Sequence, residues 1–403
     1  MRKKIISLFI VLMLIITGCS TSKKNEDKES IIAVAYWGDV REDLVYQTAI
    51  EGIEDAVPNT RVELLKYESA TAFWNAMVNR DETVKIPDII SLTNENHLEY
   101  IEAGFLLPLD EFNIDLETSK PSAVNAWNYK GKQYGIPLTA SPAVMAINRD
   151  MWNMYNLGAY PKTWNEVRTI SQEVAKYGVN GLIINTEDAF HLTQYMNSFG
   201  GGWRFGSAIN SEANRDALTY IFSMFDDGLA MNPKDEGYTW DGDAFADGAA
   251  LMTTAGTWYI GLLQDEAPNM NYDLIPMPSR TGHENGTLYS NALAIRKDSK
   301  DPQRAAQVAQ YMARPLCQKE FARVIGSAPA DIEENNDYYQ ENPHMDHLQS
   351  RSANAEPFAY PNQSTQFQKN LSDEVAAVIY APHQIDNRLR AQEILSRLER
   401  AYK

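Results

Sequence analysis

The sequence predicts an α/β protein, because short apolar runs alternate along the chain with segments of helical periodicity. Residues 31–36 form a continuous apolar run of the kind found in buried parallel strands. An amphipathic helix stopped by Pro58 is expected next, with an inner face formed by Leu44, Ala49, Ile53 and Val57. Strands over residues 61–66 and 87–92 then enclose a second helix over residues 73–78. The order predicts a β-α-β-α-β unit with a right-handed crossover.

Length and composition set the limits of what the chain can be. The chain has 403 residues, of which 44% are hydrophobic, so it can bury a sizeable core and form two domains. Its formal net charge is -18. Phosphate backbones are bound by clustered Lys and Arg, so this charge argues against a nucleic-acid partner.

The first 19 residues indicate an exported, lipid-anchored protein. Three basic residues at positions 2–4 precede an apolar run over 5–16 that is too short for a comfortable membrane span. The run ends in Ile-Thr-Gly-Cys, which resembles the lipobox of bacterial lipoproteins and implies lipidation of Cys19. We expect residues 1–18 to be a signal peptide and residues 19–30 to be the lipidated Cys with a flexible polar tether. A simple cleaved signal and an uncleaved anchor are the alternatives.

The stretch from Phe245 to Trp258 predicts a functional edge of the second half of the chain. It indicates a helix end, a turn at Gly248, a buried strand and a Gly256 turn that presents Trp258 and Tyr259. In α/β domains ligands bind outside the carboxyl ends of the strands, so an aromatic residue in this position is expected at the mouth of a cleft. The alternative is that Trp258 is a core residue of the following helix.

The same stretch resembles the signature of extracellular solute-binding proteins of family 1, the substrate receptors of carbohydrate ABC importers. The matching residues are Phe245, Gly248, Ala249, Ala250, Met252, Gly256 and Trp258. The resemblance implies a two-lobe periplasmic-binding-protein fold, type II-like, in which each lobe is a mainly parallel sheet flanked by helices and hinge crossings join the lobes. It also implies that Trp258 stacks on a sugar ring.

Other segments resemble the family in the same order along the chain. They are residues 87–110, 131–137, 143–152, 271–278, 295–313 and 326–330. The resemblance places the first hinge crossing at residues 138–141 and the return crossing at residues 326–330. It implies a first lobe of residues 31–139 plus 282–326, and a second lobe of residues 140–281 plus 327–403.

The expected ligand-binding residues come from strand ends and from the resemblance. Glu95 falls where the family often places a carboxylate that accepts hydrogen bonds from sugar hydroxyls, although an acid there would also suit a helix start. Phe367 falls near an aromatic contact of the family, but it also belongs to an apolar helix stripe that predicts core. The full expected set is Trp37, Asp39, Glu95, Asp188, Phe190, Tyr195, Trp258, Tyr259, Asn291 and Phe367.

The resemblance implies an extracellular receptor that binds a mono- or oligosaccharide and delivers it to transmembrane permease subunits. We expect a monomer, anchored by lipid on the outer face of a cell membrane of Gram-positive type, with no cofactor, metal or catalytic residue. His344 and His347 form an HxxH in a polar stretch that lacks a third ligand. The alternatives are a receptor of the same fold for a peptide, polyamine or phosphate ester, and a secreted carbohydrate-active enzyme. Common hydrolase, metalloprotease and phosphate-loop motifs are missing from the sequence.

Overall fold

The computed structural model describes residues 29–38, 40–67, 72, 76, 85–282, 286–342, 345, 348, 355–381 and 386–402. Cys19, Asp39, His344, His347 and all but one residue of the helix expected over 73–78 lie outside these ranges. Within the described ranges, no helix has the length and apolar character needed to cross a membrane.

Strands and helices alternate along most of the described chain. The strands are β1 Ser30–Trp37, β2 Thr60–Tyr67, β3 Ile89–Thr93, β4 Asn128–Tyr129, β5 Lys132–Gln133, β6 Ile136–Pro137, β7 Ser141–Asn148, β8 Asn180–Ile183, β9 Ala230–Met231, β10 Ala250–Gly256, β11 Tyr272–Pro276, β12 Thr287–Tyr289, β13 Asn291–Ile295 and β14 Glu356–Pro357. The helices are α1 Val40–Ile50, α2 Ile53–Ala56, α3 His97–Glu102, α4 Pro121–Ala126, α5 Arg149–Met154, α6 Trp164–Ala175, α7 Ala189–Ser198, α8 Glu212–Asp226, α9 Asp241–Ala246, α10 Tyr259–Glu266, α11 Pro302–Met312, α12 Pro315–Ile325, α13 Ile332–Glu341, α14 Ser364–Ile379 and α15 Asn387–Tyr402. The predicted α/β class is confirmed.

Two large sheets divide the chain into two lobes. The sheet of the first lobe has the order β2-β1-β3-β13-β6, and the sheet of the second lobe has the order β14-β12-β7-β10-β8-β9, with β11 also paired to β7. The buried apolar residues form separate clusters on the two sheets. The predicted two-lobe architecture is therefore confirmed. Strand β12 pairs with β7 of the second lobe, so the first lobe resumes at residue 291 and not at residue 282.

Both sheets are mixed, which corrects the expectation of mainly parallel sheets. In the first lobe β1 runs parallel to β2 and β3, but β13 runs antiparallel to β3. In the second lobe β8 runs parallel to β9 and β10, but β7 runs antiparallel to β10. Strands β7 and β13 each enter their sheet from the other lobe. They therefore start at the edge where the parallel strands end.

Within the described part of the chain, three crossings join the lobes at that edge. The backbone amide of Ala140 donates to the Ala328 carbonyl at 2.7 Å, and the amide of Leu138 donates to the Asn291 carbonyl at 2.7 Å. Asn291 starts β13 opposite Thr93, the last residue of β3. Because the carboxyl ends of the parallel strands meet the crossings here, the edges of both sheets face a common cleft.

Local signals in the sequence explain several helix boundaries. Thr163 and Glu166 form a reciprocal capping box at the start of α6, and Asp301 caps α11 through the Arg304 amide. The apolar face of the last helix, formed by Ala391, Ile394, Leu395 and Leu398, is buried, and so is Cys317. The prediction for Leu44 was wrong, since its side chain is 49% exposed. Tyr46 and Val45 face the core instead, and the helix is interrupted at Gly52, which has a φ of 75°.

Candidate functional site

A cleft of about 330 Å³ lies between the two lobes. Its lining comes from the first turn of α1, the turn after β3, the crossings, the end of α12, and the starts of helices in the second lobe. The lining residues are Arg41, Glu42, Thr93, Asn94, Glu95, Thr139, Ser141, Phe190, Trp240, Trp258, Leu262, Tyr289, Ser290, Asn291, Ile325 and Ser327. Four of the expected ligand-binding residues are among them: Glu95, Phe190, Trp258 and Asn291.

Glu95 stands on the turn between β3 and α3, at the first-lobe side of the cleft. The Thr93 hydroxyl donates to its Oε2 at 3.0 Å. Burial and the negative charge of Asp188 raise the pKa of Glu95 to about 8, although the hydrogen bond from Thr93 acts in the opposite direction. The carboxyl is therefore largely protonated near neutral pH, and it can both donate and accept a hydrogen bond.

Asn291 lies where the chain re-enters the first lobe, and its backbone is fixed by the first crossing. Its amide donates to the Thr139 hydroxyl at 2.9 Å, while its carbonyl accepts from Leu138. The neighbouring Ser290 is held from both sides, because its amide donates to Asn94 Oδ1 at 3.1 Å and its hydroxyl accepts from Trp127 Nε1 at 2.8 Å. These bonds fix the backbone from which the side-chain amide of Asn291 reaches the cleft.

The second-lobe side of the cleft is built from aromatic rings. The ring of Phe190 lies 4.0 Å from that of Tyr289 and 5.7 Å from that of Trp258, and the Trp258 and Tyr289 rings are 4.7 Å apart. Beneath them the Phe358 ring stacks on Phe190 at 5.0 Å. The Gln194 side chain donates to the Tyr289 hydroxyl. We call Phe190, Trp240, Trp258 and Tyr289 the aromatic wall.

Gly256 allows Trp258 to lie flat against the end of strand β10. A Cβ at this position would stand 1.8 Å from the Trp258 ring, so any other residue would displace the indole. The ring is partly exposed at the cleft and also packs against the cores on both faces of the second sheet. The two interpretations of Trp258 drawn from the sequence, cleft residue and core residue, therefore each describe part of its surroundings.

Asp188 begins helix α7 directly behind the aromatic wall. Its side chain caps the helix by accepting from the Phe190 amide at 2.9 Å. Burial raises the pKa of Asp188, and the charge of His191 opposes that shift. Asp188 does not line the cleft itself, but its charge acts on Glu95 from the opposite lobe.

Three other expected residues lie in the core and away from the cleft. Tyr195 is fully buried and stacks on Trp164 at 4.7 Å. Tyr259 is also fully buried, and its hydroxyl donates to Asp241. Phe367 packs edge-on against Trp203 at 5.0 Å, within the core between α14, α15 and α8. A ligand in the cleft cannot touch these rings, so we leave all three out of the proposed site.

Trp37 ends strand β1 and packs against the core of the first lobe, without lining the cleft. The cleft also contains residues that the sequence did not single out, chiefly Arg41, Asn94, Trp240 and Ser290. Trp240 stands immediately before helix α9, and its indole nitrogen donates to Asp243 Oδ1 at 2.5 Å. The sequence signal that could have identified Trp240 as a cleft residue is an aromatic residue followed directly by a helix with acidic residues in its first turn.

The lobes also touch on both sides of the cleft. On one side Arg41 Nη1 lies 3.4 Å from Asp265 Oδ2 of α10. On the other side Glu99 of α3 accepts from the Ser364 hydroxyl at 2.8 Å, the Thr365 hydroxyl at 3.0 Å and the Thr365 amide at 3.2 Å. Helix α14 has no capping side chain of its own, so a carboxylate from the other lobe caps it.

Among the described residues, no group of three or more His, Cys, Asp or Glu side chains could hold a metal ion. The crossings, the two sheets and the lined cleft define the class of the molecule as a two-lobe binding protein. Residues 48–347 match the family of bacterial extracellular solute-binding proteins. This match covers more than half of the chain, and the protein belongs to that family.

The relatives described next are distant from this chain in sequence. The multiple sugar-binding protein of Streptococcus mutans is 23% identical over 337 residues, which are 78% of this chain and 79% of the relative. A putative binding protein of Brucella abortus is 24% identical over 269 residues, which are 61% of this chain. The chain spans only 63% of the length of that relative.

Solved structures match most of the chain in fold. An ABC substrate-binding protein of Listeria monocytogenes, solved in complex with cycloalternan, has a TM-score of 0.78 at 19% identity, with 94% of this chain and 100% of that chain covered. Maltose-bound MalE3 of T. maritima has a TM-score of 0.75 at 19% identity, with 92% and 99% covered. The likeness shows that this chain has the same two-lobe fold.

Proposed function

We propose that the protein is the extracellular substrate-binding receptor of a bacterial ABC importer and that it binds a mono- or oligosaccharide in the cleft. The observation that carries this proposal is the pairing of an aromatic wall with a polar wall across one cleft. Sugar rings present apolar C–H faces that stack on aromatic rings, and hydroxyl groups that need carboxyl and amide partners. Relatives and solved structures whose names include sugar, maltose and cycloalternan support the same ligand class.

In this proposal each wall of the cleft has a separate task. Trp258 and Phe190 take the ring faces, while Glu95 and the Asn291 amide take the hydroxyl groups. A ligand held by both walls favours the arrangement in which the lobes are together, so closure about the crossings accompanies binding. The closed receptor then delivers its ligand to the permease, and lipidation at Cys19 keeps it at the membrane.

A second candidate ligand is a cationic solute such as a polyamine. Glu42 and Glu95 both line the cleft, and the Asp188 charge acts on Glu95. A ligand ammonium group would pair with the Glu42 carboxylate and would favour the ionised form of Glu95, which is otherwise largely protonated near neutral pH. Among the described residues that line the cleft, Arg41 is the only basic one, which makes a phosphate ester a poorer fit.

A thermal-shift screen of residues 31–403 tests the proposal against its alternatives. The panel contains mono- and oligosaccharides, peptides, polyamines and phosphate esters. A ligand at about 100 times its dissociation constant adds roughly 2.7 kcal/mol to stability, which raises the melting temperature by a few degrees. A shift with sugars supports the proposal, whereas a shift confined to another class overturns the ligand assignment. Cleavage of an oligosaccharide in the same mixture would overturn the receptor function in favour of an enzyme.

A further inference from the structure

Three residues of the aromatic wall share a feature of the sequence that the binding proposal leaves unexplained. Each is followed immediately by a residue of one buried polar cluster: Phe190 by His191, Trp240 by Asp241 and Trp258 by Tyr259. The three pairs stand at the starts of three separate helices, α7, α9 and α10. The cluster therefore joins the segments that carry the aromatic wall.

Asp241 is the centre of this cluster. Its side chain is buried, with 5% of its surface exposed, and it accepts from Asn185 Nδ2 at 2.9 Å and from the Tyr259 hydroxyl. His191 Nδ1 lies 3.6 Å from its Oδ1, and His191 Nε2 lies 2.8 Å from the Thr254 hydroxyl of β10. Burial by itself would raise the pKa of Asp241, but His191 and the hydrogen bonds lower it overall, so the carboxylate is charged.

The bond from Tyr259 to Asp241 links two residues of the aromatic wall most directly. Trp240 directly precedes the acceptor Asp241 in the chain, and Trp258 directly precedes the donor Tyr259. The Trp240 ring also meets the Tyr259 ring edge-on at 5.7 Å. The Trp240 ring lies so close to Gly242 that a Cβ on residue 242 would stand 2.3 Å from the ring. A shift of the Asp241 carboxylate would therefore be transmitted to both indoles through short, rigid connections.

We propose that Asp241 is a positioning residue that sets the relative placement of Phe190, Trp240 and Trp258 through Asn185, His191 and Tyr259. The inference rests on the proposed function, because these aromatic residues matter for affinity only if the cleft binds the ligand. Asp241 itself is enclosed by its partners and does not line the cleft. It acts on a ligand only through the rings that it positions.

The test uses D241N and Y259F in the full mature chain, with maltotriose as the probe and N214A as the control. Asn214 is a fully buried hub of the same lobe that bonds Gly202, Ala208 and Ile209, away from the cleft. N214A should lower the melting temperature without changing the affinity. D241N should weaken maltotriose binding by about tenfold or more, since a buried charged acceptor is lost, and Y259F should weaken it less. The double variant should lose less than the sum of the two single losses.

A second measurement reads the positioning without any ligand. The protein is labelled with fluorotryptophan, and W240F and W258F identify the two fluorine resonances. D241N and Y259F should shift both resonances, while N214A should leave them unchanged. Unmoved resonances in D241N would overturn the inference. So would unchanged affinity in a D241N protein that has lost as much thermal stability as N214A.

The two measurements separate the inference from the function on which it rests. If the unaltered protein does not bind maltotriose but the D241N resonances move, the positioning stands and this sugar is wrong. If the protein binds and the D241N resonances stay in place, the binding proposal stands and the positioning is wrong.

Discussion

The first-lobe wall of the cleft is polar and is fixed by backbone bonds, whereas the second-lobe wall is aromatic and is fixed by a buried side-chain cluster. Glu95 stands on a turn and Asn291 at the start of β13, and the backbone groups around them bond the crossings. Trp240 and Trp258 instead stand beside Asp241 and Tyr259, whose side chains bond each other. Hydrogen-bond partners need a fixed direction, which the backbone supplies. Stacking surfaces need a fixed spacing, which side chains can set.

The largest expected effect separates the aromatic wall from the aromatic core behind it. Phe367→Ala should lower the free energy of unfolding by about 3 to 5 kcal/mol, because it removes a fully buried ring that packs on Trp203. Affinity for the ligand should stay the same. Denaturant unfolding and calorimetric titration measure the two quantities. A loss of affinity at full folding would return Phe367 to the ligand site.

Trp258→Ala should have the opposite pattern. The ring is partly exposed in the cleft, so its loss should weaken sugar binding by about 1 to 3 kcal/mol if it stacks on the ligand. Calorimetric titration checks this loss, with Phe367→Ala as the variant that loses stability and not affinity. Unchanged affinity in a folded Trp258→Ala protein would remove this residue from the site.

Glu95→Gln should remove a pH dependence that belongs to the polar wall. Folding raises the pKa of Glu95 from an ordinary 4.5 to about 8, so the folded protein keeps a proton that the unfolded chain loses between these values. The group therefore favours folding most below about pH 4.5, and this contribution is lost as the pH rises through about 8. Denaturant unfolding at about pH 5 and about pH 9 should show the native protein losing stability relative to Glu95→Gln. A stability difference that does not change with pH would contradict the raised pKa.

Glu99→Gln should give the smallest effect, through the contact that joins the lobes beside the cleft. It weakens a helix cap that one lobe supplies to the other, and under the proposed closure this cap favours the ligand-bound arrangement, so ligand affinity should fall by about 0.5 to 1 kcal/mol. The control is Glu102→Gln on the same helix, because Glu102 pairs with Lys130 of its own lobe at 3.2 Å. Equal affinities for the two variants would show that the Glu99 contact does not influence binding.

The sequence predicted those parts of the fold that depend on local signals. The apolar runs located β1, β2, β3 and β10. The antiparallel entry of β7 and β13 was not predictable from periodicity, because strand direction depends on which lobe the chain has left. The exposure of Leu44 has a similar cause, since the tertiary contacts of α1 selected Val45 and Tyr46 for the core.

The sequence located the segments that carry the site, but it did not decide which side chain in each segment faces the cleft. Phe190 and Tyr195 are five residues apart on α7, which places them about 140° apart around a helix of 3.6 residues per turn. If Phe190 faces the cleft, Tyr195 therefore faces the core. Trp258 and Tyr259 are adjacent in the chain, and their side chains also point in different directions, that of Trp258 to the cleft and that of Tyr259 to the core. The sequence located both segments, but the choice of residue within each depends on a rotation that only the packed structure defines.

A crystal structure of the protein with the sugar that gives the largest thermal shift would show directly whether the two walls hold the ligand. We expect a sugar ring stacked on the Trp258 indole, with its hydroxyl groups bonded to Glu95 and to the side chain of Asn291. A sugar bound outside the cleft, or bound within it without touching the aromatic wall, would overturn the proposed binding mode.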